Sequence, residues 1–212
     1  MAIYLDSANL SDAEQVKDLG WVYGITTNPA LLAQSQLKPE ETLRQLAKLG
    51  KAQVYYQLRA KTVDQAVREA ERAASILGSM LVLKLPPTAI GFASACRLSG
   101  YPCCVTAVYS PAQAIVAAEC GARYVAIYVN RAARLMGNGL SLVEKTAAVL
   151  ENTKTEILAA SLKSPDEAAS AIGAGARHMT LQLPVLLSLI GHPLSQQAID
   201  EFDSSGAGIA LE

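Results

Sequence analysis

The stretch MLVLKL at residues 80–85 lies between Gly78 and the pair Pro86-Pro87. It is apolar except for one lysine, so it cannot alternate a wet face with a dry one. Such a run suits a parallel strand covered on both faces. Seven more runs of the same kind follow from it in both directions: IYLD (3–6), VYGIT (22–26), QVYYQL (53–58), PCCVTAV (102–108), RYVAIYV (123–129), EILAAS (156–161) and HMTL (178–181). Six of the eight come just after a glycine, namely Gly20, Gly50, Gly78, Gly100, Gly121 and Gly175. Each of these glycines is expected to end a helix in a conformation that side chains resist.

The segments between the runs read as helices. The capping-box pattern S/T-x-x-E/Q occurs at Ser11–Glu14, Thr62–Gln65, Ser110–Gln113, Ser141–Glu144 and Ser164–Glu167. In each, the hydroxyl accepts from the third amide while the third side chain reaches back. Pro111 and Pro165 suit first helical positions, and Pro39 opens another helix. Val67, Ala70, Ala74 and Leu77 recur at helical spacing and predict a buried face. The glycine pairs at 137–139 and 173–175 read as turns.

Eight strands alternating with helices, at about 26 residues per unit, predict an α/β protein with a parallel sheet. Residues 1–212 fit one compact (β/α)8 barrel domain, with an open doubly wound sheet as the alternative. The latter normally carries a phosphate loop after its first strand, and neither GxGxxG nor GxxxxGKS/T is present. Residues 194–202, LSQQAIDEF, predict an additional C-terminal helix with Leu194, Ala198, Ile199 and Phe202 on one side. The tail from Ser204 reads as loose.

Composition narrows the function. Hydrophobic residues make up 51% and charged residues 17%, so a large core is expected. Eighteen Lys+Arg against nineteen Asp+Glu give a net charge of −1, with no basic stripe to attract nucleic acid. No window is apolar enough to predict a membrane span, and MAIYLD does not read as a signal peptide. Cys96, Cys103, Cys104 and Cys120 form no CxxC and read as reduced, small apolar residues of a cytoplasmic protein. Two histidines, His178 and His192, without a third predict no histidine-based metal site. There is no GxSxG.

In a (β/α)8 barrel the chemistry lies at the carboxyl ends of the strands. The polar residues there are Asp6, Thr26 with Thr27 and Asn28, Gln57, Lys84, Thr106, Tyr128 with Asn130 and Arg131, and Ser161. Alternation along each strand points Lys84, Thr106 and Tyr128 into the barrel mouth. Lys84 is the most informative, since lysine is seldom buried without a partner. A salt bridge to Asp6, or a side chain reaching the rim, is the structural explanation. The chemical one is a desolvated amine. An ordinary lysine is less than about 0.1% neutral at pH 7. Burial favours the neutral form, which attacks carbonyls to form Schiff bases. Arg131 and Ser161 together offer donors to an anionic group.

The segments YLDSAN (4–9), GITTNPALL (24–32), LVLKLP (81–86), TAVYSPAQA (106–114), YVAIYVNR (124–131) and ILAASLK (157–163) resemble, in order, the small transaldolase family and within it the fructose-6-phosphate aldolase group. The resemblance implies a class I aldol mechanism with no metal or organic cofactor. It also implies a homo-oligomer, a pentamer or a decamer of two rings, with C-terminal helices packed on neighbours. Lys84 matches the Schiff-base lysine and Asp6 the active-site carboxylate. Thr26 and Asn28 match substrate-hydroxyl contacts, and Arg131 and Ser161 the phosphate pair. Gln57, Thr106 and Tyr128 match positions around the catalytic water. Transaldolases usually carry Glu and Phe where this chain has Gln57 and Tyr128. The implied reaction is therefore reversible cleavage of fructose 6-phosphate to dihydroxyacetone and glyceraldehyde 3-phosphate. The alternative is transaldolase transfer of a dihydroxyacetone unit between sugar phosphates.

Overall fold

A computed structural model describes residues 1–209. Eight parallel strands close into a barrel in sequence order, which excludes the open sheet. They are β1 (Ala2–Asp6), β2 (Val22–Thr26), β3 (Gln53–Gln57), β4 (Leu81–Leu85), β5 (Cys103–Val108), β6 (Tyr124–Tyr128), β7 (Glu156–Ala160) and β8 (His178–Leu181). β1 pairs with both β2 and β8, which closes the ring. Every apolar run became a strand, with bounds shifted by at most one residue at either end.

The two faces of each strand serve two cores. Leu5, Ile25, Val54, Leu83, Leu85, Val105, Val125 and Ile127 face outward to the helices. Tyr4, Tyr55, Val82, Cys104, Tyr124, Ala126 and Leu158 fill the barrel interior. The interior is therefore a packed plug below the mouth, as alternation requires. Its floor is aromatic, and Gly24 makes room for it. A Cβ on Gly24 would lie 2.9 Å from the Tyr4 ring and 2.4 Å from the Gln53 carbonyl oxygen. Both histidines lie away from the mouth: His178 meets Glu156 at 3.1 Å near the start of β8, and His192 caps the last helix.

Three of the five capping boxes form. Thr62, Ser110 and Ser164 accept from the amides of Gln65, Gln113 and Glu167. The return bonds go one residue further back than expected, to the amides of Lys61, Tyr109 and Lys163. Ser11 and Ser141 lie inside their helices instead. Asn9 caps the helix Leu10–Gln15, and Asn138 precedes Gly139–Leu150. Gly20 and Gly100 do not adopt positive φ, whereas Gly137 does and caps the helix Val129–Met136. Gly173 is helical, ending the helix Pro165–Gly173. The helix Val63–Leu77 buries Ala66, Ala70, Ala73 and Leu77, so its face is turned from the expected one and Val67 and Ala74 flank it.

Among the described residues there are eleven α-helices, the last running from Pro193 to Ser205. It extends three residues past the expected end and takes in Ser204 and Ser205, the start of the expected loose tail. Residues 210–212 of that tail lie outside the described residues. This helix buries none of its side chains, and Leu194 and Phe202 are 68% and 69% exposed. No helix among the described residues is long and apolar enough to cross a membrane. Cys103 and Cys104 are buried as small apolar residues, but Cys96 is exposed and Cys120 half-buried, so the outer two are not core residues.

Candidate active site

The mouth of the barrel holds a cleft of about 200 Å³ lined by Asp6, Asn28, Lys84, Tyr128, Arg131 and Ser161, among others. Six of the nine predicted site residues thus meet in one place. The other three stand just behind it. Thr26 and Thr106 are 0% and 1% exposed, and Gln57 is half-buried beside Lys84 in register.

Lys84 is the fourth residue of β4 and 5% exposed. Its Nζ donates to the backbone carbonyl of Thr27 at 2.9 Å. Among the described residues it forms no ion pair, so neither a salt bridge to Asp6 nor an exposed ammonium explains its burial. Its strand neighbour Cys104 supplies no counter-charge, because burial pushes that thiol up to about 12 and keeps it neutral. Thr27 is held in turn by its own hydroxyl, which donates to the Tyr55 carbonyl at 2.7 Å. The turn after β4 depends on Gly91: a Cβ there would lie 1.9 Å from the Pro86 carbonyl oxygen.

Asp6 is half-buried at the end of β1, and its Oδ1 accepts from the Thr26 hydroxyl at 2.8 Å. Asn28 divides its amide between two tasks. The oxygen caps the helix Pro29–Gln34 by accepting from Leu31, while the nitrogen remains available to the cleft. Tyr128 ends β6, and its hydroxyl lies 3.1 Å from that of Thr106. A bulge in β5 shapes this pair. Ala107 has a φ of 58°, and the pairing with β6 skips from Thr106 to Val108. Arg131 stacks on the Tyr128 ring at 4.9 Å, and it shares the cleft lining with Ser161. Ser161 also holds positive φ, at 59°, and its carbonyl accepts from the Asn130 amide. The Asn130 side chain donates to Glu167 at 2.6 Å, so it braces the loop beside the cleft.

Three polar lining residues escaped the sequence analysis: Lys163, Thr180 and Gln182. Thr180 lies inside HMTL, which as a sequence reads only as a strand. Its inward parity, shared with His178, was the available signal. A wider groove of about 860 Å³ adjoins the cleft through Asp6, Leu31 and Gln182. It holds neither lysine nor arginine, whereas the smaller cleft holds Lys84, Arg131 and Lys163.

The sequence profile described as transaldolase/fructose-6-phosphate aldolase matches residues 3–209. The chain belongs to this family. It is 33% identical over 207 residues to a probable transaldolase of Nitrosopumilus maritimus, covering 95% of this chain and 93% of that one. It is 32% identical over 206 residues to a probable transaldolase of Symbiobacterium thermophilum, covering 95% of each. Among solved structures, a mutant flavocytochrome b2 with pyruvate bound superposes with a TM-score of 0.62 at 15% identity. That match covers 96% of this chain and 62% of the other. A mandelate oxidase superposes with a TM-score of 0.61 at 16% identity, covering 85% and 61%. At such identities these two share the barrel fold alone. This member of the transaldolase/fructose-6-phosphate aldolase family is an enzyme of that class, and its cleft lies where barrel enzymes carry their chemistry.

Proposed function

We propose that this family member is a class I aldolase that reversibly cleaves fructose 6-phosphate to dihydroxyacetone and glyceraldehyde 3-phosphate. One observation carries the choice: the Tyr128 phenol, tied to Thr106, lines the same cleft as the buried amine of Lys84. Lys84 Nζ attacks C2, and the carbonyl oxygen leaves as water. Asp6 takes the C4 hydroxyl proton as the C3–C4 bond breaks. The bonding pair moves into the iminium, leaving an enamine on Lys84, and glyceraldehyde 3-phosphate departs. Tyr128 delivers a proton to C3 through a water that Gln57 and Thr106 orient. Addition of water at C2 then frees dihydroxyacetone and restores the amine. Thr26 and Asn28 serve the hydroxyl-bearing part of the substrate, Thr26 through Asp6.

The relatives' names favour a second reading, transaldolase, in which the enamine waits for another aldehyde. Release of dihydroxyacetone from fructose 6-phosphate alone separates the two. The aldolase releases it without an acceptor. Activity seen only when erythrose 4-phosphate is added makes transaldolase the better description.

Arg131 and Ser161 are assigned to the phosphate. Arg131→Ala is expected to raise KM for phosphorylated aldehydes by roughly 10- to 100-fold, the weight of a charge-assisted contact. Unphosphorylated aldehydes should change little. Equal losses on both would make Arg131 a structural residue.

The C-terminal helix points to self-assembly. Leu194, Ile199 and Phe202 are all exposed on a helix with no buried face, and so short a helix gains little stability on its own. We assign it to a neighbouring copy in a homo-oligomer, a pentamer or decamer. Deletion from Leu194 should lower the mass measured by light scattering, and an unchanged mass would refute the assignment.

A further inference from the structure

We infer that Thr180, at the third position of β8, is a positioning residue for this reaction: through Thr26 it fixes the carboxylate of Asp6. The inference rests on the role proposed for Asp6. The Thr180 and Thr26 hydroxyls lie 2.6 Å apart, and Thr26 Oγ1 lies 2.8 Å from Asp6 Oδ1. Counting protons gives the chain a direction. A carboxylate only accepts, and a threonine hydroxyl has a single proton. Thr26 spends that proton on Asp6, so the proton in the shorter contact belongs to Thr180.

Topology makes the contact unusual. Thr26 is on β2 and Thr180 on β8, and both strands flank β1. Strands two places apart are roughly 9–10 Å apart at the backbone. Only side chains converging inside a closed barrel meet across that gap. Both residues are buried, at 0% and 4% exposure, so solvent has little access to replace either bond. With Oδ1 tethered, Oδ2 makes no side-chain hydrogen bond among the described residues and is left for the substrate. A carboxylate held in one rotamer meets the C4 hydroxyl in one geometry, and small misplacements at such a point are costly.

Thr180→Val keeps the shape and removes the donor, whereas Thr180→Ser keeps the donor and removes a methyl. In fructose 6-phosphate cleavage, Thr180→Val should lose about 10-fold in kcat with KM within about 2-fold, and Thr180→Ser should recover most of the loss. In an Asp6→Ala background Thr180→Val should cost nothing further. A Val variant within 2-fold of wild type, a Ser variant as impaired as Val, or the same loss without Asp6 overturns the inference. A second measurement needs no turnover. The Thr26 hydroxyl proton, bonded to Asp6 and buried, should be detectable by NMR in all three proteins, keep its chemical shift in Thr180→Ser, and shift clearly in Thr180→Val, where Thr26 accepts no bond. If the wild-type protein cleaves nothing, the aldolase reading falls alone, and this resonance still decides: an unchanged chemical shift in Thr180→Val overturns the chain.

Discussion

Lys84→Met is expected to lower fructose 6-phosphate cleavage by about 10⁴-fold or more, the scale on which removal of a nucleophile acts. Methionine keeps an unbranched, apolar chain of similar length in a site that is 5% exposed. The outward-facing Leu83 and Leu85 keep their packing on the helices. What disappears is the amine and its bond to the Thr27 carbonyl. That carbonyl is left without its side-chain donor, at a cost of about 1–3 kcal/mol, offset by removal of a buried polar group. The melting temperature should therefore move by only a few degrees while the rate collapses. Initial rates of dihydroxyacetone release, taken beside a calorimetric scan, check both halves. A folded Lys84→Met protein keeping more than about 1% of the wild-type rate has another nucleophile.

Tyr128→Phe should cut acceptor-free release of dihydroxyacetone by about 10²–10⁴-fold, the usual weight of one acid–base group. The ring keeps its packing: it meets Tyr109 edge-on at 6.2 Å, and Arg131 stacks on its face. Only the hydroxyl and its contact with Thr106 are lost. The enamine then loses the phenol as its proton donor and lives longer. Transfer to erythrose 4-phosphate should fall less, and adding Gln57→Glu should favour transfer further. Two initial rates per variant, with and without acceptor, measure the balance. Parallel losses in both rates would remove Tyr128 from the protonation step.

Much of this could be seen in the chain before its structure. The β2 and β8 bounds match the runs read from the sequence to the residue, because mostly buried parallel strands are predominantly apolar and such runs break where the strands end. Parity placed Lys84, Thr106 and Tyr128 inward for the same elementary reason. The failures have local causes. Asn9 caps its helix two residues before Ser11, and the helix Gly139–Leu150 starts two residues before Ser141, at Gly139 after Asn138, with no side-chain cap. The face of Val63–Leu77 turned because alanines at 66 and 73 let the helix approach the barrel more closely than Val67 would.

The parts of the site that stayed hidden depend on distant partners. Ala107 gives no hint of positive φ, because the bulge is imposed by pairing with β6. Thr180 meets Thr26 across 154 residues of sequence. Cleft residue Lys163 follows two residues after Ser161, whose positive φ no feature of the sequence announces.

The proposed reaction requires a covalent imine on Lys84. Incubating the protein with dihydroxyacetone, reducing with borohydride and measuring the intact mass tests it most directly, with the modified residue then located by peptide mapping. One reduced adduct per chain is expected, carried on Lys84 and missing from Lys84→Met. An unmodified wild-type mass, under conditions that trap a known class I aldolase, or an adduct mapped to another lysine, would contradict it.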